Sequence, residues 1–393
     1  MRILYLASGF PFPLLAGHLR YYHFMRELSR LGHRVRLFSL VDDGFRPERE
    51  AAVREFLDDV RTFRRRDRQH WLGRFLKEDA RLFWGIDPGM RELRGAVAAE
   101  VRSASFDVAV LAGKRADAAV RGLGVPVVAD ICDAESERFH GRLAHASWAE
   151  KPRVYLGWRG LRAMELRVAG RARRSLFASR RDRDALMSPS DPRGVIVPNG
   201  VDLEYWKRHS DWRGKRTIVF TGAMHYRPNA DAALLLIREV FPAIRQEFPD
   251  AHVLVVGRDP GDELREAGER PGVTVTGRVD DVRPYLEDAS HFVAPLRYAS
   301  GIQNKVLEAM AMELPVITSA AAADGVTPEG SAPPLTVAGT AEDFRAAIRA
   351  AFVADEEGRR APMVEARRFV EEHFSWATHA ATLERALQES VSP

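Results

Sequence analysis

The stretch SGIQNKVLEAMAMELPVITS, residues 300–319, decides how the rest of the chain is read. A Gly-containing turn leads into a helix carrying Lys305 and Glu308, Pro315 breaks the pattern, and a short β-branched strand follows. Turn, helix and buried strand in that order form part of a parallel α/β layer. The turn also has a chemistry of its own. The first N–H groups of a helix lack intrahelical partners, and the helix dipole adds partial positive charge at the same end. Lys305 sits in that first turn, where the dipole disfavours a cation, so a bound anion accounts for it better than helix propensity does. Glu308 lies three residues on, on the same face, and a carboxylate can accept two hydrogen bonds from a vicinal diol. Together these features read as a site for a diphosphate and a ribose, that is, a nucleotide. The competing reading is an exposed Lys305–Glu308 salt bridge, which in this orientation contributes at most about 0.5 kcal/mol. Gln303 and Asn304 can join the anion site or act simply as helix caps.

Outward from this stretch, the second half alternates strand and helix. TIVFTGAM is followed by the helical run PNADAALLLIREVFPAIRQEF, and then by AHVLVVGRD, VTVTGRV, HFVAPL and PVITS with helices between them; only helical patterns remain after Thr340. The first half repeats the plan without repeating the sequence. RILYLA and RVRLFSL flank the helix HLRYYHFMRELSRLG, and FDVAVLAG, VPVVADI, SLFAS and VIVPN follow. Around NGVDLEYWKRHSDWRGK, residues 199–215, the periodicity stops, as in an interdomain linker. The expected fold class is α/β, with two Rossmann-like, doubly wound parallel-sheet domains facing a cleft. Residues 1–193 form the first domain and 194–374 the second, with 375–393 crossing back to the first as a C-terminal helix.

A chain of 393 residues, 46% hydrophobic and 29% charged, has ample material for two cores and no disordered tract. Its net charge of +4 conceals an asymmetry: residues 1–193 carry +12 and residues 194–393 carry −8. The basic half favours an acidic partner such as a phospholipid surface or a pyrophosphate-linked acceptor. Nucleic acid is not expected, because no zinc finger, RNA-binding aromatic pair or helix-turn-helix pattern accompanies the charge. The lone Cys132 excludes an internal disulfide or a thiolate zinc cluster and fits a reducing, cytoplasmic compartment. The opening apolar run is too short for a signal-peptide core, and no run reaches the roughly 18 residues of a membrane span. RRRDRQHWLGRFLKEDARLFW, residues 64–84, mixes cations with Trp71, Phe75, Phe83 and Trp84. It suits either peripheral contact with the inner face of a membrane or, the favoured reading, packing into its own domain.

With NGVD at 199–202, FTGAMHYRPNAD at 220–231, VVGRDP at 255–260, VTVTGRVDDVRPYL at 273–286 and GIQNKVLEAMAMELPVI at 301–317, the sequence resembles the family 4 glycosyltransferases of the two-Rossmann (GT-B) architecture. It is most similar to the sugar transferases associated with exopolysaccharide and exosortase gene sets, which share the TGAM…PN and GIQNKVLEAMA forms and, at 131–139, ICDAESERF. The first half matches through its opening strand, Gly17, Arg20 and ASRRDRDAL at 178–186. The resemblance implies a nucleoside diphosphate sugar bound mainly by the second domain and a hydroxyl acceptor bound mainly by the first. It also implies no metal, no cofactor beyond the donor, and transfer with retention at the anomeric carbon. The acceptor class would be a growing glycan, a lipid-linked sugar or a secondary metabolite.

Three positions depart from the family pattern. Of two glutamates separated by seven residues, the second matches Glu308 but the first falls at Ser300; the Arg and Lys expected after Gly222 are Ala223 and Pro228; and a commonly catalytic His falls at Cys132. Diphosphate neutralisation then rests on Lys305, with Arg227 and Arg258 behind it, and on the amides from Gly301 through Ile302 and Gln303 to Asn304. Gly17 permits close backbone approach to a ligand, and His18 and Arg20 beside it contact phosphate or acceptor, or else line a solvated helix face. The absence of G-x-G-x-x-G there argues against a dinucleotide dehydrogenase. Asp130 and Asp133 end a strand at the ligand-binding edge of the sheet. Either can orient or deprotonate the acceptor, cap a loop, or leave the base role to a donor phosphate oxygen. Arg278 and Val279 lie where the family offers backbone groups to the nucleobase. The catalytic candidates are thus Lys305, Asp133, Asp130 and His18. Two rivals remain: a nucleotide-sugar epimerase of the same architecture, and a non-catalytic nucleotide-sugar-binding partner of another transferase.

Overall fold

The computed structural model describes residues 1–12, 19–65, 78–144, 146–210, 215–299, 302–328 and 330–391. They form two compact units, Met1–Gly200 with Trp376–Pro393, and Val201–Ser375. The first contains a seven-stranded sheet in the order β3-β2-β1-β4-β5-β6-β7, every pairing parallel. Its strands are β1 (Arg2–Ala7), β2 (Arg34–Val41), β3 (Asp59–Arg64), β4 (Val108–Ala112), β5 (Val127–Cys132), β6 (Arg174–Phe177) and β7 (Gly194–Ile196). Central strands such as β1 and β4 are buried on both faces, which is why they read as unbroken apolar runs. The strand order reverses between β1 and β4, and that crevice is where open α/β sheets bind ligands at their carboxyl ends.

The second unit contains a six-stranded parallel sheet in the order β10-β9-β8-β11-β12-β13. Here the strands are β8 (Thr217–Thr221), β9 (His252–Val256), β10 (Val273–Val275), β11 (His291–Ala294), β12 (Val316–Thr318) and β13 (Leu335–Val337). The order reverses between β8 and β11. Phe220, Phe292, Leu236, Ile244 and Met310 are among the fully buried side chains of its core.

The helix Trp376–Val391 belongs to the first unit although the whole second unit precedes it in the chain. Trp376 stacks on His23 at 4.5 Å and meets Phe24 edge-on at 5.3 Å, and Leu383 and Leu387 join the core around Ile3 and Tyr5. The unit boundary falls after Gly200, later than the expected 193/194, because β7 completes the first sheet by pairing with β6. The single helix expected over PNADAALLLIREVFPAIRQEF is three pieces, Arg227–Leu235, a π-helical turn Leu236–Val240 and Phe241–Glu247. Pro242 has no N–H to give to an α-helical bond, and the widened turn absorbs the mismatch. Two strands were not expected, β3 and β13, both edge strands with half-exposed or exposed residues instead of an apolar run. Within residues 64–84, Trp71 and Phe75 lie outside the described residues, Phe83 is fully buried, and Trp84 is 47% exposed. Among the described residues no helix is long and apolar enough to cross a membrane.

Candidate functional site

The loops after β8, β9 and β11 converge at the carboxyl edge of the second sheet. Gly222 directly follows β8, and its N–H donates to the Val256 carbonyl at 3.0 Å. A side-chain carbon at Gly257 would lie 1.6 Å from the Gly222 oxygen, and one at Gly222 would lie 2.5 Å from Asn229 Nδ2. Both positions therefore exclude any larger residue, and the chain is drawn tightly over the end of β8. Asn229, buried in the Arg227–Leu235 helix, donates from Nδ2 to the Ala223 carbonyl at 3.0 Å. Its Oδ1 accepts a hydrogen bond from Lys305 Nζ. That ammonium also lies 5.3 Å from the centre of the Phe220 ring.

Lys305 and Glu308 stand one turn apart on the helix Asn304–Ala311. No ion pair joins them among the described residues, and the ammonium turns to Asn229 instead, so the salt-bridge reading does not describe this site. The Glu308 carboxylate accepts no hydrogen bond among the described residues. Both side chains keep partial surface exposure, yet protein crowds them closely. Burial pulls the Lys305 ammonium down to about 8, with Glu308 opposing, and pushes the Glu308 carboxyl up to about 7, with Lys305 opposing. Gln303 occupies the N-cap position without a side-chain cap bond, and Asn304 is the first helical residue. Ile302 packs against the core.

Other donor-side candidates lie around this group. Arg227 pairs with Asp231 at 2.8 Å on an exposed helix face, and Tyr298 donates to the same carboxylate at 2.6 Å. Arg258 is exposed, and its carbonyl accepts from the Met224 N–H at 2.8 Å, which ties the β9 loop to the β8 loop. Arg278 is exposed just beyond Gly277, while Val279 packs on the core; neither bonds to Lys305 or Glu308 among the described residues. Gly17, His18 and Gly301 lie outside the described residues. One participant escaped the sequence reading: Asn229 shows there only as part of a Pro-Asn pair opening a helix.

In the first unit, Asp130 at the end of β5 is fully committed. Arg20 Nε donates to its two oxygens at 3.0 and 2.9 Å, and Arg20 Nη1 donates to the Val197 carbonyl at 2.7 Å and Asn199 Oδ1 at 2.8 Å. Both side chains are buried, so the ion pair itself is internal, while the buried Arg20 Nη2 has no hydrogen-bond partner among the described residues. Beyond it, Cys132 has φ +63, a left-handed conformation unusual for a side-chain-bearing residue, at a register shift between β5 and β6. The following loop is held from beneath. Lys114 Nζ bridges Glu135 and Glu165, each at 2.9 Å, and the Ala134 N–H donates to Asp182 at 2.9 Å. Asp133 stands half-buried between these anchors. Neither Lys114 nor Glu165 announced itself in the sequence, since each sits in an ordinary helical context.

Residues 215–352 match the family model described as glycosyl transferases group 1. The phosphatidyl-myo-inositol mannosyltransferase of Mycolicibacterium smegmatis is 30% identical over 59% of this chain and 60% of its own length. Its namesake from Mycobacterium tuberculosis is 30% identical over 40% of this chain and 42% of its own. The chain thus spans about two to three fifths of the length of these curated relatives. Among solved structures, sucrose-phosphate synthase from Thermosynechococcus elongatus superposes with a TM-score of 0.72 at 17% identity, covering 99% of both chains. Anabaena HepE in complex with UDP and glucose superposes with a TM-score of 0.66 at 15% identity, covering 98% of this chain and 99% of that one. The fold is therefore the two-domain α/β fold of the GT-B glycosyltransferases, and the second unit carries the glycosyl transferases group 1 match.

Proposed function

We propose that this chain is a glycosyltransferase that moves a sugar from a nucleoside diphosphate sugar to a hydroxyl acceptor. One observation carries the reading: the Lys305 ammonium is held out by Asn229 over the end of β8, with the Glu308 carboxyl, which accepts no hydrogen bond among the described residues, one turn away. A cation positioned this way suits a diphosphate, and the carboxyl suits the ribose diol beside it. In the reaction the bond from the anomeric carbon to the diphosphate oxygen breaks, and a bond to the acceptor oxygen forms. The acceptor proton passes to a base, for which Asp133 is the protein candidate and a donor phosphate oxygen the other. Charge grows on the leaving diphosphate, and Lys305 with the amides of Ile302 and Gln303 stabilises it. Retention at the anomeric carbon and independence of metal ions are part of the proposal. Acceptor recognition is assigned to the first unit. A lipid-linked or glycan hydroxyl is the acceptor class, in keeping with the phosphatidyl-myo-inositol acceptor named for the mannosyltransferase relatives.

Calorimetric titration of UDP, GDP, TDP and ADP, then of their sugars, tests the site. Lys305→Ala and Glu308→Gln are each expected to weaken nucleoside diphosphate binding by about tenfold or more. Unchanged affinity in both would overturn the assignment. NMR of donor and enzyme without acceptor separates this reading from an epimerase, which would convert the donor alone. Transfer that persists undiminished in EDTA supports the metal-free chemistry.

A further inference from the structure

The helix Lys151–Arg171 presents a solvent face of unusual make-up. Its inner side is formed by Val154, Glu165, Val168 and Ala169, all buried. At helical spacing, the opposite side carries Arg153, Tyr155, Leu156, Arg159, Leu166 and Arg167, all exposed. Leu156 is 70% exposed, and Trp148, in the turn before the helix, is 87% exposed. Scattered exposed apolar residues are ordinary, but a stripe of them along one helix face is not.

The charge on this helix has one sign. Its cations are Lys151, Arg153, Arg159, Arg162, Arg167 and Arg171, and its only acid is Glu165, which is fully buried and engaged by Lys114. Arg162 pairs with Glu137 and Arg171 with Asp117. Lys151, Arg153, Arg159 and Arg167 have no carboxylate partner among the described residues. Two of them lie against aromatic rings: Arg159 donates to the Tyr155 hydroxyl at 3.3 Å, and the Arg167 guanidinium lies 4.8 Å over Trp84, itself exposed. Arginines alternating with Trp, Tyr and Leu on a surface-parallel helix are the composition that seats in the headgroup layer of an anionic bilayer, aliphatic groups inward and guanidiniums among the phosphates.

We propose that the Lys151–Arg171 helix, with Trp148 and Trp84, docks this protein onto an anionic lipid surface. A nucleic acid would use the cations but leave Leu156 and Leu166 in water, and a second copy of this chain would bring the same positive charge to meet them. The excess positive charge of the first half acts in the same direction and over a longer range.

The test is co-sedimentation of the full chain with vesicles of phosphatidylcholine alone and of phosphatidylcholine mixed with phosphatidylglycerol. Partitioning is expected to be at least about tenfold stronger onto the anionic vesicles and to fall with added salt. Leu156→Glu/Leu166→Glu and Arg159→Gln/Arg167→Gln should each reduce it by about tenfold, with unchanged melting temperature and unchanged titration by UDP. The UDP titration keeps a failure here distinct from a failure of the nucleotide-site assignment. Equal partitioning onto both vesicle types, variants that bind like the parent, dimerisation of the parent abolished by Leu156→Glu/Leu166→Glu, or preference for an RNA oligonucleotide over the anionic vesicles would each overturn the proposal.

Discussion

Glu308 and Lys305 are both shifted toward neutrality, and the signs of the shifts set a pH window. The carboxyl is raised from its ordinary 4.5 to about 7, so the stability it contributes is complete below 4.5 and is lost as pH rises through 7. The ammonium is lowered from 10.5 to about 8, so its contribution is complete above 10.5 and is lost as pH falls through 8. Between 7 and 8 the empty site holds both charges at a cost that an anion beside Lys305 and a diol beside Glu308 would offset. Nucleoside diphosphate affinity is therefore expected to peak between pH 7 and 8, each limb approaching a tenfold change per pH unit. Glu308→Gln should erase the protein's share of the acid limb and Lys305→Met the alkaline limb; a parent profile unchanged by either substitution would refute the coupling. Both residues were legible because their spacing puts them on one face of one helix. Asn229, which aims the ammonium, was not, because it reaches Lys305 across 76 positions through a contact that only the converging β8 and β11 loops create.

At the level of elements, the turn from β5 into the Glu135–Leu143 helix depends on one buried cation. Lys114 lies between Glu135 and Glu165, and the Ser136 N–H also points at Glu165. Lys114→Met would leave the Glu165 charge buried without its cation, at a cost of about 3–5 kcal/mol, whereas Lys114→Met/Glu165→Leu removes that buried pair, leaves Glu135 to Arg115 and Arg138, and should recover much of it. Urea unfolding of the two variants measures this; equal stabilities would mean that the network is not coupled. The same contrast explains which elements the sequence revealed. Strands β1, β4, β8 and β9 are sandwiched by helices and spell out apolar runs, whereas β3 and β13 lie at sheet edges with one flank in water. In β3 the segment DVRTFR carries Arg61, which answers both Asp59 and Glu100, so its pairing partner identifies it better than its hydrophobicity does.

The whole molecule is built from one continuous unit inserted into a discontinuous one. Val201–Ser375 begins and ends at a closed seam, where the Val201 N–H donates to the Phe374 carbonyl at 2.9 Å and Val201 bridges Ser375. It has its own core, and the contacts described for Lys305, Glu308 and Asn229 lie within it. The first unit depends on a helix that follows the whole second unit in the chain, since Trp376, Ala380, Leu383 and Leu387 fill the side of the sheet that also holds Phe24 and Leu28. An isolated fragment of residues 201–375 is therefore expected to fold cooperatively and to bind a nucleoside diphosphate within about tenfold of the full chain. Residues 1–200 alone should expose that apolar side and aggregate or bind a hydrophobic dye until a 376–393 peptide is added. Calorimetric melting and UDP titration of the first fragment, with dye binding and peptide rescue of the second, decide the matter. A 201–375 fragment that folds but ignores nucleotide would move essential binding groups to the first unit, and a 1–200 fragment that is stable without the peptide would show that the returning helix is dispensable to its core.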